Sequence, residues 1–355
     1  MASKLNMPWK RPWLGLASGL VLLYLWGNAF RQLAVSWSNN PQYSYGWGVP
    51  FLCAYLIWHR IRGQRLPPPD LRLPSSVPPR LPASGFYFLL ALGVFFYLPI
   101  RLIQEANPDW SLVSWGLALL AVGGTLIVLN WFGGRQSIQR FAFPVAFFLV
   151  AVPWPTMVED PLIQTLTQVD VNATCELAGL IGIPTLAHGN VIEVATGQVN
   201  VDEACSGIRS FQATLMISLF LGELYQLTVG RRAVCLVAGF LLALLLNLAR
   251  LLVLVWVATR QGIPAISRWH DPTGVLILLG CFSALWFIGQ WLARGNPPSA
   301  HRPPATEHRP SSPTRSTLHA SSSNRLAFAL LAWIGLVEFA VSGWYAWRVW
   351  AAART

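Results

Sequence analysis

The stretch Ala233–Ala258, AVCLVAGFLLALLLNLARLLVLVWVA, decides the class of fold. It is apolar over a length that can cross a bilayer as a helix, and it carries Asn247 and Arg250 in its second half. Comparable apolar runs recur along the chain. The sequence is 54% hydrophobic and 11% charged, with 18 tryptophans and 18 phenylalanines, more than a soluble domain of 355 residues needs. An all-α polytopic membrane protein is the class these features demand. The formal net charge of +11 does not point to nucleic acid, because the Lys and Arg residues fall in separate short loops and not on one basic face. The sequence has no Gly-rich phosphate loop, no CxxC and no His-rich metal pattern, so no cofactor and no metal are expected.

Nine membrane segments are expected, at roughly 13–30, 44–59, 85–103, 110–132, 139–157, 205–228, 233–258, 272–293 and 326–348. The first reads as an uncleaved signal anchor: Lys4, Lys10 and Arg11 precede the apolar run, and no small-x-small cleavage site follows it. The second is short and carries Gly46, Gly48 and Pro50, which predicts an irregular element. The Pro-rich stretches 66–82 and 297–313 read as extended loops. The expected organisation is an N-terminal helix and outer loop (1–39), a membrane core (40–294), a Pro-rich cytoplasmic linker (295–324) and an additional C-terminal transmembrane helix (325–355).

Orientation follows from the basic residues. With the N-terminus in the cytoplasm, seventeen Lys and Arg residues lie inside and six outside, Arg209 and Arg250 falling within spans. Ten of the fourteen acids then lie outside, seven of them in one large outer loop, about 158–204. Within that loop, 160–180 places Leu162, Ile163, Leu166, Val169 and Val171 among polar residues, as in an amphipathic helix at the membrane surface. Val191–Val194 and Gln198–Val201 alternate about Ala195-Thr196-Gly197, the pattern of a β-hairpin. The hairpin delivers the chain to Glu203-Ala204-Cys205-Ser206-Gly207-Ile208-Arg209-Ser210, where a polar loop becomes an apolar span.

Three reactive side chains are placed at similar depth by this topology. Cys205 opens the sixth span at its outer end. Arg250 lies about eight residues from the outer exit of the seventh, roughly 12 Å deep at 1.5 Å per residue. His270 sits just before the eighth. A helix N-terminus and nearby guanidinium groups favour a thiolate, and Arg209, four residues after Cys205, and Arg250 are candidates to supply the charge. His270, beside Asp271, can protonate a leaving amine and then activate an incoming nucleophile. An arginine can hold the oxyanion of a tetrahedral intermediate. Asn247 shares the helix face of Arg250. Acyl transfer through a thioester is the reaction these parts suit. An arginine within a bilayer costs at least ~2.5 kcal/mol on insertion scales, which marks Arg250 as functional against the alternative of snorkelling to the surface. Cys53, Cys175, Cys235 and Cys281 lack such a setting and read as inert. Glu338, in the last span, either pairs with an arginine of the bundle or lines a polar cavity.

Four stretches together resemble the exosortase/archaeosortase family of membrane-embedded cysteine transpeptidases. Tyr43-Ser44-Tyr45-Gly46, followed by Val49-Pro50 and Tyr55-Leu56-Ile57-Trp58, is similar to the family's early YSHG…P…YLLW segment, with Tyr45 where histidine is common. Phe143-Pro144 through Val152-Pro153-Trp154-Pro155 resembles its FP…PxP run, and Gly189-Asn190-Val191-Ile192-Glu193 its GNxIE element. The segment Glu203–Ser210, Asn247-x-x-Arg250 and His270-Asp271 match its three active-site motifs in order. The resemblance spans about 40–293. It implies Cys205 as nucleophile, Arg250 as transition-state stabiliser and His270 as acid/base, with Glu203, Arg209, Asn247 and Asp271 in support. It also implies membrane-anchored protein substrates bearing a C-terminal sorting signal: a short motif such as Pro-Glu-Pro, a transmembrane helix and a basic tail. Such an enzyme cuts the signal at the extracytoplasmic face of the bacterial inner membrane and passes the protein to an acceptor, whose identity the chain does not encode. The competing readings are a transporter or polysaccharide-export component, in which Arg209, Arg250 and Glu338 line a polar path, and a non-enzymatic scaffold. Many transporters carry an internal repeat, and this sequence shows none.

Overall fold

The computed structural model describes residues 12–62, 83–201 and 207–294, with scattered positions between 333 and 350. The N-terminal basic residues, both Pro-rich stretches, Glu203, Cys205 and Glu338 lie outside the described residues. Contacts divide the chain into two compact units, one formed by 1–40, 46–153 and 304–355 and the other by 41–45 and 154–303.

The first unit includes helices α1 (Pro12–Asn39), α2 (Val49–Arg62), α3 (Ala83–Ala106) and α4 (Ser111–Ala146). Helices α1 and α4 pack through Ala29, Val113, Leu117 and Ala121, small and branched side chains that let the backbones approach. Gln32 and Gln104 meet between α1 and α3 at 2.9 Å, and Gln32 also donates to the carbonyl of Pro108. Buried amides are tolerated there because their donors are met, Gln104 Nε2 by Gln32 Oε1 and Gln32 Nε2 by the Pro108 carbonyl. The expected second span is irregular as its glycines and proline foretold. It is a 3₁₀ turn over Pro41–Trp47, whose last two residues belong to this unit, followed by the 14-residue α2.

The fifth expected span differs from expectation, whereas the fourth, at 110–132, corresponds to Ser111–Gly134. Within α4 the backbone kinks at Gly134, whose φ of 65° is not helical, so that two helical segments meet there and the second runs on to Ala146. A short 3₁₀ turn (Phe147–Ala151) and the extended Val152–Pro155 segment follow. Stretch 139–157 is therefore not one continuous helix, because the two prolines at 153 and 155 cannot extend the helical ladder. The carbonyls stranded at this break are met by indoles: Trp37 Nε1 donates to Ala151 O at 2.8 Å and Trp115 Nε1 to Pro153 O at 2.9 Å.

The second unit holds α5 (Thr156–Leu180), strands β1 (Thr185–His188), β2 (Val191–Val194) and β3 (Gly197–Asn200), and helices α6 (Ile208–Leu224), α7 (Val229–Gln261) and α8 (Ile266–Arg294). The strands form one antiparallel sheet in the order β1-β2-β3, with Ile192 opposite Val199 and Glu193 opposite Gln198. The expected sequence pattern covered β2 and β3; β1 adds a third strand on the β2 edge. Ile192, Val194, Val199 and Val201 point into a core shared with Val171 and Ala178 of α5 and Leu251, Val255 and Ala258 of α7. Thr196, in the β2–β3 turn, donates to the Ala258 carbonyl at 2.8 Å, tying the turn to the last helical turns of α7.

Helix α5 adds a buried polar stripe to the amphipathic pattern read from the sequence. Its fully buried positions are Glu159, Thr167, Asp170, Val171, Thr174 and Ala178, and it packs on α7. Val169 lies on the opposite, exposed face. The stripe turned inward is largely polar because α7 offers Asn247 as a partner, and a buried polar group is kept only where its hydrogen bond is met.

Helices α6, α7 and α8 pack against one another. At the far end of α6 the buried Glu223 pairs with Arg232 of α7 at 3.1 Å, and Arg231 donates to Leu292 O of α8 at 2.9 Å. Three described helical segments are long and apolar enough to cross a membrane: Ser111–Gly134, Val229–Gln261 and Ile263–Arg294. Helix α5, with four acids, is not one of them by itself.

Candidate active site

Helix α6 begins at Gly207, whose φ of 75° lies in the left-handed region that L side chains avoid. A Cβ there would also stand 3.0 Å from Asn247 Nδ2 and 3.2 Å from its Cγ, so glycine is required by conformation and by space. The backbone two residues after Cys205 is thereby seated on Asn247 of α7. Asn247 is 1% exposed and donates through Nδ2 to Asp170 Oδ2 at 2.7 Å.

One turn along α7, Arg250 is 8% exposed. Its Nη2 donates to the His270 carbonyl at 3.1 Å, and a Cβ on Gly274 would come within 3.4 Å of the same nitrogen. Gly274 thus leaves room for the guanidinium against α8. Arg250 therefore touches His270 through the backbone carbonyl, a bond that ties α7 to α8.

His270 and Asp271 do not precede the last described helix, as the sequence reading placed them. They lie within its first turns, because a short 3₁₀ turn over Ile263–Ala265, with Pro264 at its start, restarts the chain and α8 begins at Ile266. Pro272 lacks an N–H, and the side chain of Thr273 donates to the carbonyls of Trp269 and His270 at 2.7 and 3.0 Å. The imidazole is about one-third exposed, and its Nδ1 lies 2.9 Å from Asp271 Oδ1. With Asp271 accepting from Nδ1–H, Nε2 is left as the proton acceptor. Arg250 and Arg209 both lie within electrostatic reach of the Asp271 carboxylate. Arg209 is exposed on the first turn of α6, with its Nη2 3.5 Å from Ser44 Oγ.

Of the residues read from the sequence as a site, Arg209, Asn247, Arg250, His270 and Asp271 are thus gathered from α6, α7 and α8. Cys205 and Glu203 lie outside the described residues, between β3 and Gly207.

Two further groups were not singled out from sequence. One is Asp170. Burial raises its carboxyl pKa from 3.8 to about 6, against the lowering effect of the Asn247 hydrogen bond. The other surrounds Glu159, in the first turn of α5. Its Oε1 accepts from the Tyr43 hydroxyl, from Gln42 Nε2 and, at 3.5 Å, from Gln212 Nε2. Tyr43 in turn accepts from the Trp154 backbone N–H at 3.1 Å. Burial holds Glu159 above the ordinary carboxylate range despite these donors, and burial together with Glu159 raises the Tyr43 hydroxyl strongly. The tyrosine of the early YSxG segment and the tryptophan of the PxP run are joined by this contact, which neither motif reveals alone.

No metal-ligating cluster of His, Cys, Asp and Glu occurs among the described residues. A family model, transmembrane exosortase (Exosortase_EpsH), matches residues 37–287. The chain belongs to the transmembrane exosortase family. The match takes in the 3₁₀ turn with Tyr43, the α5-and-sheet region and the Asn247, Arg250 and His270 positions, and it ends within α8. Comparison with curated proteins and with solved structures returned no match. Family membership and the apolar helices make this a membrane protein, and exosortases are generally cysteine transpeptidases in protein sorting.

Proposed function

We propose that this chain is a cysteine transpeptidase that cleaves a C-terminal sorting signal from exported proteins at the extracytoplasmic face of the inner membrane. The observation that carries this reading is the seating of Gly207, two residues after Cys205, on Asn247, on the same helix face as Arg250, whose guanidinium is bonded to His270. In this reading the Cys205 thiolate attacks the scissile carbonyl carbon, and the Arg250 guanidinium receives the negative charge that develops on its oxygen. His270 Nε2 takes the proton that the Cys205 thiol loses and delivers it to the leaving amine as the C–N bond breaks, leaving a thioester. It then takes the proton of the acceptor nucleophile, whose attack on the thioester releases the thiolate. Asp271 holds the imidazole tautomer, and Arg209 adds positive potential near the thiol. Cleavage of the signal releases its transmembrane helix and basic tail.

The test is processing of a co-expressed reporter carrying a Pro-Glu-Pro motif, a transmembrane helix and a basic tail. Cys205→Ala is expected to leave the reporter full-length and membrane-anchored. Normal processing by a well-expressed Cys205→Ala chain would sink the proposal, and solute or polymer flux that survives loss of the thiol but not of Arg250 would favour a transporter.

A further inference from the structure

Asp170 is 1% exposed at the middle of α5, on a helix face that packs against α7. Its neighbours Val171 and Ala178 belong to the apolar core, where a carboxylate is expensive to bury. Its Oδ1, and the hydroxyl of Thr174 one turn further on, have no hydrogen-bond partner among the described residues. The polar contact Asp170 does make is through Oδ2, which accepts from Asn247 Nδ2 at 2.7 Å. A carboxamide has two ends of nearly equal shape, and its hydrogen-bond partner decides which way it faces. A carboxylate can only accept, so Asp170 selects the orientation in which Nδ2 faces α5. That same nitrogen is the Asn247 atom nearest to the position a Cβ would take on Gly207.

We propose that Asp170 is a positioning residue of the candidate active site: it locks the Asn247 carboxamide, and the locked carboxamide supports the Gly207 turn that opens α6 two residues after Cys205. The proposal rests on the reading of Cys205 as the nucleophile. It names a residue 35 positions before the thiol, on another helix, that touches neither substrate nor the reacting atoms.

The experiment uses the full chain in nanodiscs, with Cys53, Cys175, Cys235 and Cys281 replaced by alanine so that Cys205 is the sole thiol. Two rates are read: alkylation of Cys205 by N-ethylmaleimide, which needs no turnover, and reporter cleavage resolved into kcat and KM. Asp170→Ala is expected to slow alkylation and to lower kcat by about ten- to a hundredfold with KM held within about twofold, the scale of a misplaced reacting group. Asp170→Asn retains an acceptor for Nδ2 and should recover both rates to within about threefold. Asp170→Leu fills the space without an acceptor and should match the alanine variant, so a collapsed alanine variant does not end the test. Because Asp170 acts through Asn247, Asp170→Ala added to Asn247→Ala should cost nothing further. Multiplying losses in that double variant, or unchanged alkylation and kcat in both Asp170→Ala and Asp170→Leu, would overturn the proposal. If Cys205→Ala still processes the reporter, the nucleophile reading fails by itself, while the alkylation arm still decides whether Asp170 governs the turn.

Discussion

The buried carboxylate of Asp170 makes the stability of this chain depend on pH in a direction opposite to that of an ordinary paired acid. Its pKa rises from 3.8 to about 6 on folding, because burial penalises the charged form more than the Asn247 hydrogen bond favours it. Between those values the folded state binds the proton more tightly than the unfolded state. Stability is therefore fully present below the unfolded pKa and falls as pH rises through the folded one. The whole displacement corresponds to roughly 3 kcal/mol at 1.36 kcal/mol per pKa unit, of which about 2 kcal/mol falls between about pH 4.5 and 7.5. Glu159 is raised by burial as well and adds a slope of the same sign. Comparison with Asp170→Asn isolates the Asp170 share, since asparagine keeps an acceptor for Asn247 and cannot ionise. Thermal unfolding in detergent across that range should show the wild-type chain losing stability relative to Asp170→Asn by about 2 kcal/mol, a shift of a few degrees in midpoint. Parallel profiles for the two chains would mean that Asp170 does not carry a buried charge, and the reasoning from its burial would be wrong.

Three other outcomes are expected. Gly207→Ala places a side chain in a left-handed backbone and 3.0 Å from Asn247 Nδ2; it should cost about 1–2 kcal/mol from the backbone alone and lower kcat, measured by unfolding and reporter cleavage. Arg250→Lys keeps the charge but loses the planar fork, and should lower kcat about a hundredfold or more with little change in KM. Arg232→Ala strands the buried Glu223 without its ion-pair partner and should destabilise the chain by about 3 kcal/mol; Glu223→Gln in the same chain should recover much of that loss, as read from unfolding midpoints.

The parts of this molecule that were legible in its sequence depend on neighbours close along the chain. The apolar runs at 110–132, 233–258 and 272–293 correspond to the three described segments fit to cross a membrane, since hydropathy sums over consecutive residues. The irregularity after Pro41 and the alternation in 191–201 are likewise local. The inward polar face of α5 was not legible. Whether Asp170 faces water or protein depends on Asn247, 77 residues away. The same holds for Glu159, whose carboxylate accepts from Tyr43, 116 residues before it. The start of α8 was misjudged because apolarity begins after Pro272, whereas the helix begins at Ile266, where the backbone can first turn.

The sequence by itself determined that this is a membrane chain of the exosortase kind, and it determined the order in which its reactive residues appear. Both are written in hydropathy and in short motifs, which need no knowledge of packing. Only the tertiary structure decided which acid of α5 meets Asn247, why residue 207 is glycine, and that Arg250 grips the backbone of His270. Those choices are made where helices distant in sequence meet, because a buried hydrogen bond exists only once both of its partners have been brought to one place.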